Sequence, residues 1–323
     1  MRRASRAIVL LVVLLTGCGS PGTVGGTIPR WSKPLQLERT HLSSDYRSLY
    51  GISCVSSTTC VAVDESGSAL FWRNGRWTGP QPTGANGTLD AVSCSNANAC
   101  VAMSAAGESL AYDGRSWSSS GSVGSPATFE ISCPTVTFCA SVGAPGATGS
   151  PSIVGTSDGK GWSVYPTPPS TGLGDRLMDV SCPTAKLCIA VNLDGHTLVF
   201  DGTGWTPGQD ALVKGLISVS CPSSSFCMAV AGSGRFVTFN GKRWSSSVPI
   251  PGFQSDFARS VSCASSSSCT TLGLSGRAVD WAGGHWKSPT LVFPGGFLAT
   301  VSVSCATSTI CVAVNSKGTA ATT

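Results

Sequence analysis

Apolar residues fall in short runs along this chain, rich in β-branched and aromatic side chains and broken by Ser, Thr, Asp and Gly every five to eight residues. No stretch sustains a helical period, so the pattern is one of strands and turns. Residues 49–78 show the unit, with strands predicted over Leu49–Cys54, Cys60–Asp64, Ala69–Arg73 and Arg76–Gly79, here called a to d. Gly67 marks the b–c turn. Asn74-Gly75 marks the c–d turn, because Asn and Gly tolerate the positive φ of a type I′ hairpin.

The a–b segment recurs. Ser-Cys, five residues and a second Cys occur seven times. The pairs are Cys54 and Cys60, Cys94 and Cys100, Cys133 and Cys139, Cys182 and Cys188, Cys221 and Cys227, Cys263 and Cys269, and Cys305 and Cys311. The first cysteines are 40, 39, 49, 39, 42 and 42 residues apart. A Gly/Trp hairpin recurs with them, as in Asp113-Gly114-Arg115-Ser116-Trp117 and Asn240-Gly241-Lys242-Arg243-Trp244. A fixed period of this size, with four antiparallel strands per unit, predicts an all-β chain folded as a β-propeller of seven four-stranded blades. The last copy ends without its Gly/Trp hairpin. At the other end, Arg30-Trp31-Ser32-Lys33-Pro34 matches the outer strand Arg76-Trp77-Thr78-Gly79-Pro80. The N-terminal segment is therefore expected to supply strand d of the last blade, leaving no open edge.

The first residues change the picture of where the ring works. Arg2, Arg3 and Arg6 precede an apolar run from Ala7 to Thr16, too short to span a bilayer of about 30 Å. It ends Leu15-Thr16-Gly17-Cys18, which resembles the lipobox of bacterial lipoproteins; in that family the cysteine is acylated and becomes the first residue. The expected organisation is a lipoprotein signal peptide at 1–17, a tether at 18–29 from lipidated Cys18, and the propeller at 30–323. The 11 residues Gly19–Pro29 reach under about 40 Å when extended. The expected location is the outer face of the plasma membrane, or the secreted fraction.

In an oxidising compartment, 14 regularly spaced cysteines form a disulfide framework. If strands a and b pair around each loop, the flanking cysteines become cross-strand neighbours roughly 4.5–5.5 Å apart; bridges between blades are the alternative. Metal is not expected, since no cysteine pair has a second pair beside it and His41, His196 and His285 share no repeat position. No cofactor is implied. The net charge of +5 falls to about +2 without the three signal-segment arginines, and there is no basic run, which argues against nucleic acid. A monomer is expected.

The repeats resemble those of actinobacterial secreted and lipidated propellers related to the sialidase-like (BNR/Asp-box) and YVTN repeat superfamily, over residues 30–323. The Asp-box pattern is matched loosely, best by Thr156-Ser157-Asp158-Gly159-Lys160-Gly161-Trp162. Such a resemblance implies a fold more than an activity. Sialidases need three clamping arginines, a Tyr–Glu pair and an acidic Asp. Here the tyrosines are Tyr46, Tyr50, Tyr112 and Tyr165, and none of Glu38, Glu65, Glu108 or Glu130 has a partner identifiable in the sequence. There is no Ser-His-Asp motif, nucleophile elbow or phosphate loop.

In a meander blade, a–b and c–d turns share one face of the ring, and b–c and d–a connections share the other. The first face is monotonous in sequence. The second varies, through Gln81–Asp90, Pro166–Arg176, Pro207–Lys214, Pro249–Asp256 and the long b–c segment Gly143–Ile153. Binding concentrates in variable loops on a rigid scaffold. The candidate binding residues there are Asp90, Glu130, Asp175, Arg176, Asp179, Asp256 and Arg259, against the alternative of a solvated rim. The expected function is non-enzymatic binding or scaffolding of a protein or glycan. A sialidase-like hydrolase or lyase and an envelope assembly factor are the alternatives.

Overall fold

The computed structural model describes residues 31–37, 47–124, 128–143, 153–166 and 176–323. Among these there is no helix, and the strands form seven antiparallel sheets arranged as a β-propeller. Blade 1 consists of Leu49–Ser56, Thr59–Asp64, Ser68–Arg73 and Arg76–Pro82. Its a and b strands run past the cysteines until Ser56 faces Thr59, so the a–b turn is tighter than the Cys-x5-Cys spacing alone suggests. In blade 6 the outer strand is interrupted, His285–Trp286 and Thr290–Leu291 both pairing with Arg277–Ala282. The long spacing between the third and fourth repeats arises between strands b and c of blade 3, where Gly143 pairs with Ile153; residues 144–152 lie outside the described set.

Blade 7 closes on the N-terminal segment. Leu35–Gln36 pairs with Thr319–Ala320, and the Ser32 N–H donates to the Thr322 carbonyl at 2.7 Å. Trp31 is buried in the apolar cluster between blades 6 and 7, the place of an outer-strand tryptophan.

The core lies between blades. Strand b alternates its side chains with period two, so its two faces serve two neighbours. Cys60 and Ala62 pack with Val312 and Val314 of blade 7, while Val61 and Val63 pack with Leu89 and Leu110 of blade 2. Each buried Leu or Val contributes about 1.5–3 kcal/mol. Hairpin tryptophans cover the outer strands, Trp77 against Trp72 at 5.7 Å and Trp244 against Phe239 at 5.2 Å between ring centroids. They are framework residues.

Every repeat cysteine is bridged to the other cysteine of its own a–b hairpin, and none is bridged between blades. Cys54 joins Cys60, Cys94 joins Cys100, and Cys133 joins Cys139. Cys182 joins Cys188, Cys221 joins Cys227, Cys263 joins Cys269, and Cys305 joins Cys311. Their Cα separations are 3.9–4.1 Å, below the 4.5–5.5 Å expected of an unbridged cross-strand pair. The covalent link draws the directly opposed strands together at that rung. The second cysteines, Cys60, Cys100, Cys139, Cys188, Cys227, Cys269 and Cys311, are the more deeply placed, all buried on strand b. Closing so short a loop contributes about 2 kcal/mol on the chain-entropy model.

The serine before each first cysteine couples the blades. Ser53 Oγ accepts the N–H of Cys94 at 3.0 Å. Ser93, Ser132, Ser181, Ser220 and Ser262 accept those of Cys133, Cys182, Cys221, Cys263 and Cys305, each at 2.9 Å. Ser304 accepts that of Cys54, also at 2.9 Å, which completes the circle. An inner-strand edge would otherwise leave these N–H groups unpaired along the channel.

Candidate functional site: the channel mouth

Every inner strand of blades 1–6 opens with a bulge. In blade 1, Leu49 faces Asp64 and Gly51 faces Val63, so Tyr50 is the extra residue. The same register shift makes Asp90 extra in blade 2, Ile217 in blade 5 and Arg259 in blade 6. A bulge re-aims the side chain it carries. Here it turns these four residues into one cavity of about 270 Å³ at the mouth of the central channel. One step further along each strand lie Glu130, Asp179, Ser218, Ser260 and Ser302, which line a deeper space of about 150 Å³. Glu130 borders both spaces.

The deeper residues also tie blades together. Ser218 Oγ accepts the Val261 N–H at 3.1 Å and Ser260 Oγ accepts that of Val303 at 3.2 Å. In blade 4 a carboxylate occupies the serine position. Asp179 Oδ2 accepts the Val219 N–H at 2.8 Å, and Oδ1 accepts that of Val180 at 2.6 Å. Asp179 is therefore a framework residue as well as a channel one.

Three carboxyls thus share the channel with one guanidinium. Burial raises Asp90 to about 6. Burial raises Asp179 to about 6 as well, against the bonds from Val219, Ser218 and Val180 and the nearby Arg259. Glu130 is pushed well above the usual carboxylate range, first by burial and then by Asp179, with Arg259 opposing. Desolvation and like charge both disfavour full ionisation of such a group.

The other candidates lie elsewhere. Asp256 is bound to the framework. Its Oδ1 accepts the N–H groups of Ser275 at 3.0 Å and Phe257 at 2.8 Å, and its Oδ2 accepts the Ser275 hydroxyl. A Cβ on Gly273 would collide with this carboxylate. Blade 6 thereby uses a d–a residue to cap a b–c turn that Asp64 and Asn315 cap from within their own blades. Arg176 is exposed at the start of blade 4 and does not line the channel spaces. Asp175, Cys18, the signal segment and the tether fall outside the described residues.

In blades 1, 2 and 4–7 the described loops of this face are pinned from beneath. The N–H groups of Thr83, Val123, Ala211, Ile250 and Val292, each following an outer strand, donate to the b–c turn carbonyls of Gly67, Gly107, Gly195, Gly234 and Gly276 at 2.8–3.1 Å. Leu37 does the same to Gly318 at 2.9 Å for the closing blade. The opposite face carries hairpin aspartates that form turns. Asp113, Asp158 and Asp201 accept backbone N–H groups within their own hairpins, which holds Asp113 and Asp158 below the usual carboxylate range; Asp201 is held low first by the Thr203 hydroxyl. Among the described residues no group of three or more His, Cys, Asp and Glu is placed to hold a metal, and no helix is long and apolar enough to cross a membrane.

No protein-family model and no curated protein sequence matches this chain. Solved structures do match. The chain is similar to YCF48 bound to D1 peptide (13% identity, TM-score 0.66, covering 90% of this chain and 96% of that one). It is similar to YCF48 from Cyanidioschyzon merolae (13%, 0.65, 90% and 98%). It is also similar to the WD40 β-propeller domain of Doa1 (10%, 0.66, 89% and 95%). At these identities the likeness shows the fold alone.

Proposed function

We propose that this chain is a binding or scaffolding propeller whose partner is a protein segment docked over the channel mouth, on the face of b–c and d–a loops. The observation that carries this reading is the convergence of Tyr50, Asp90, Glu130 and Arg259, from four blades, on one cavity. A rigid ring with pinned loops presents such a surface without an ordering cost on binding. A propeller of the same architecture, YCF48, has been seen with a D1 peptide. In this reading the protein works outside the cytoplasm, held by acyl groups on Cys18. A disulfide in every blade supports an oxidising compartment.

Crosslinking in intact cells tests the partner. Asp90→Ala combined with Asp179→Asn, which keeps an acceptor for the Val219 N–H, should abolish capture, with thermal melting to show that the ring stays folded; unchanged capture would place the site elsewhere. Cys18→Ser should move the protein from the membrane to the soluble fraction.

One observation favours a second reading, a glycan hydrolase. The sequence offers no partner for Glu130, yet Tyr50 and Asp90 share its cavity. Glycosidases need two carboxyls of differing acidity. An anionic sugar would meet two carboxyls and a single arginine there, with Asp179 in the adjoining space, which disfavours sialosides. Turnover of any fluorogenic glycoside that Glu130→Gln abolishes would replace the binding reading with the enzymatic one.

A further inference from the structure

Building on that reading, we infer that the channel mouth receives the cationic head of an arginine or lysine side chain from the partner, while the apolar residues flanking it rest on an exposed arc formed by Leu193, Leu212, Phe257 and Phe297.

Size comes first. A space of about 270 Å³ is smaller than one turn of helix, roughly 400 Å³ from its diameter and pitch, so it takes a side chain rather than an element. Sign comes next. Asp90, Glu130 and Asp179 face one counter-charge, Arg259, so the channel is short of positive charge. An entering cation lets these buried carboxyls ionise together, and the protons they give up couple binding to pH. Tyr50 is the remaining titratable group lining the mouth.

The loops that carry the arc are bonded to one another around blades 4 to 6. The Gly215 N–H donates to the Leu193 carbonyl, and the Gly232 N–H donates to that of Gly215 at 2.9 Å. The Phe257 ring lies over Gly232, where a Cβ would push it aside. The Leu274 N–H then donates to the Phe257 carbonyl at 3.0 Å, and the Leu298 N–H to that of Leu274 at 2.8 Å. Leu212 and Phe297 are 79% and 69% exposed, and Phe257 is 41% exposed two residues from Arg259. Large side chains held out on pinned loops beside a charged mouth mark an interaction surface. An apolar stretch carrying one basic residue complements both parts.

The test uses the full-length protein and a random array of 12-residue peptides, acetylated and amidated, read at pH 7.5 and 5.0. Bound peptides should be enriched in Arg or Lys beside apolar residues. Replacing that residue by citrulline or norleucine should weaken binding at least tenfold. Glu130→Gln with Asp90→Asn, both isosteric and checked by thermal melting, should cause a similar loss. Arg259→Ala, which removes the competing guanidinium from the mouth, should tighten binding, and Leu212→Asp should lower it. Binding should weaken at pH 5.0, since Asp90 and Asp179 titrate at about 6. Absence of bound peptides, selection of acidic ones, or indifference to citrulline would overturn the inference. If a cellular partner still crosslinks to this face in that case, the broader binding reading stands and only the basic-residue one falls.

Discussion

The hydroxyl of Ser304 accepts the backbone N–H of Cys54 at 2.9 Å, joining residues 250 positions apart. It is chemically the same bond that joins every other pair of adjacent blades, so the seam between the last blade and the first is built like the other six. Ser220→Ala should cost about 0.5–1.5 kcal/mol, a typical net hydrogen bond. Ser304→Ala should cost the same. Thermal melts compare them, and a much larger loss at Ser304 would show that the seam is a weak point.

Removing one staple, as in Cys94→Ala with Cys100→Ala, should destabilise the ring by about 2 kcal/mol. Denaturant titration of the variant beside the parent reads this. A collapse of the whole fold would mean that each hairpin depends on its bridge for more than chain entropy.

Acid should stabilise this protein before it destabilises it. Asp90 and Asp179 have folded values of about 6, above their unfolded ones, so their penalty is present at neutral pH and disappears as pH falls from about 6 towards 4. The low-lying hairpin carboxylates Asp113, Asp158 and Asp201 work in the opposite sense, their contribution being lost only below about 4. The melting temperature should therefore peak between about pH 4 and 5.5. Asp90→Asn should raise it by about 2–4 °C at pH 8 and flatten the slope between pH 4 and 7. A melting temperature rising steadily from pH 5 to 8 would contradict this assignment.

Asp256→Ala should lower stability by about 1–3 kcal/mol, because the Ser275 and Phe257 N–H groups lose their acceptor. Peptide or partner binding per folded molecule should be unchanged. Loss of binding with an intact melt would return Asp256 to the site.

Trp31→Ala should cost about 3–5 kcal/mol, the usual loss for a buried aromatic. Hydrogen exchange should then quicken first in Thr319–Thr322. Equal quickening in all blades would mean that the closing strand does not stabilise its own blade locally.

The repeat makes most of the fold legible. Alternation and the Asn74-Gly75 and Gly67 turns locate all four strands of blade 1 within a few residues, and the Trp31 match locates the closing strand. The bridge partners are legible as motif pairs, but whether Cys60 meets Cys54 or a neighbouring blade's cysteine depends on strands a and b pairing in direct register. The coupling role of the serine is written in the same motif. A small polar residue on an inner strand fits a solvated position equally well, however, and its partner lies 40 residues or more away. The site is half legible. Asp90, Glu130, Asp179 and Arg259 carry their charge in the sequence, but their convergence depends on the ring bringing separate blades to one axis. Tyr50 escapes a sequence reading although it stands, like Asp90 and Arg259, three positions before the Ser of Ser-Cys. That spacing identifies the bulge only when the register is known. Asp256 looks like its neighbours because sequence does not reveal that Gly273 leaves room for a carboxylate from another loop.

The closing strand has a mechanical meaning. Any tension reaching the ring through Trp31 is met first by the Ser32–Thr322 bonds and the short Leu35–Gln36 pairing, not by a disulfide-bridged hairpin. A pull from that end would unzip the rim of blade 7 while the stapled inner strands and the serine seam kept their shape, so the channel mouth is insulated from a load applied at residue 31.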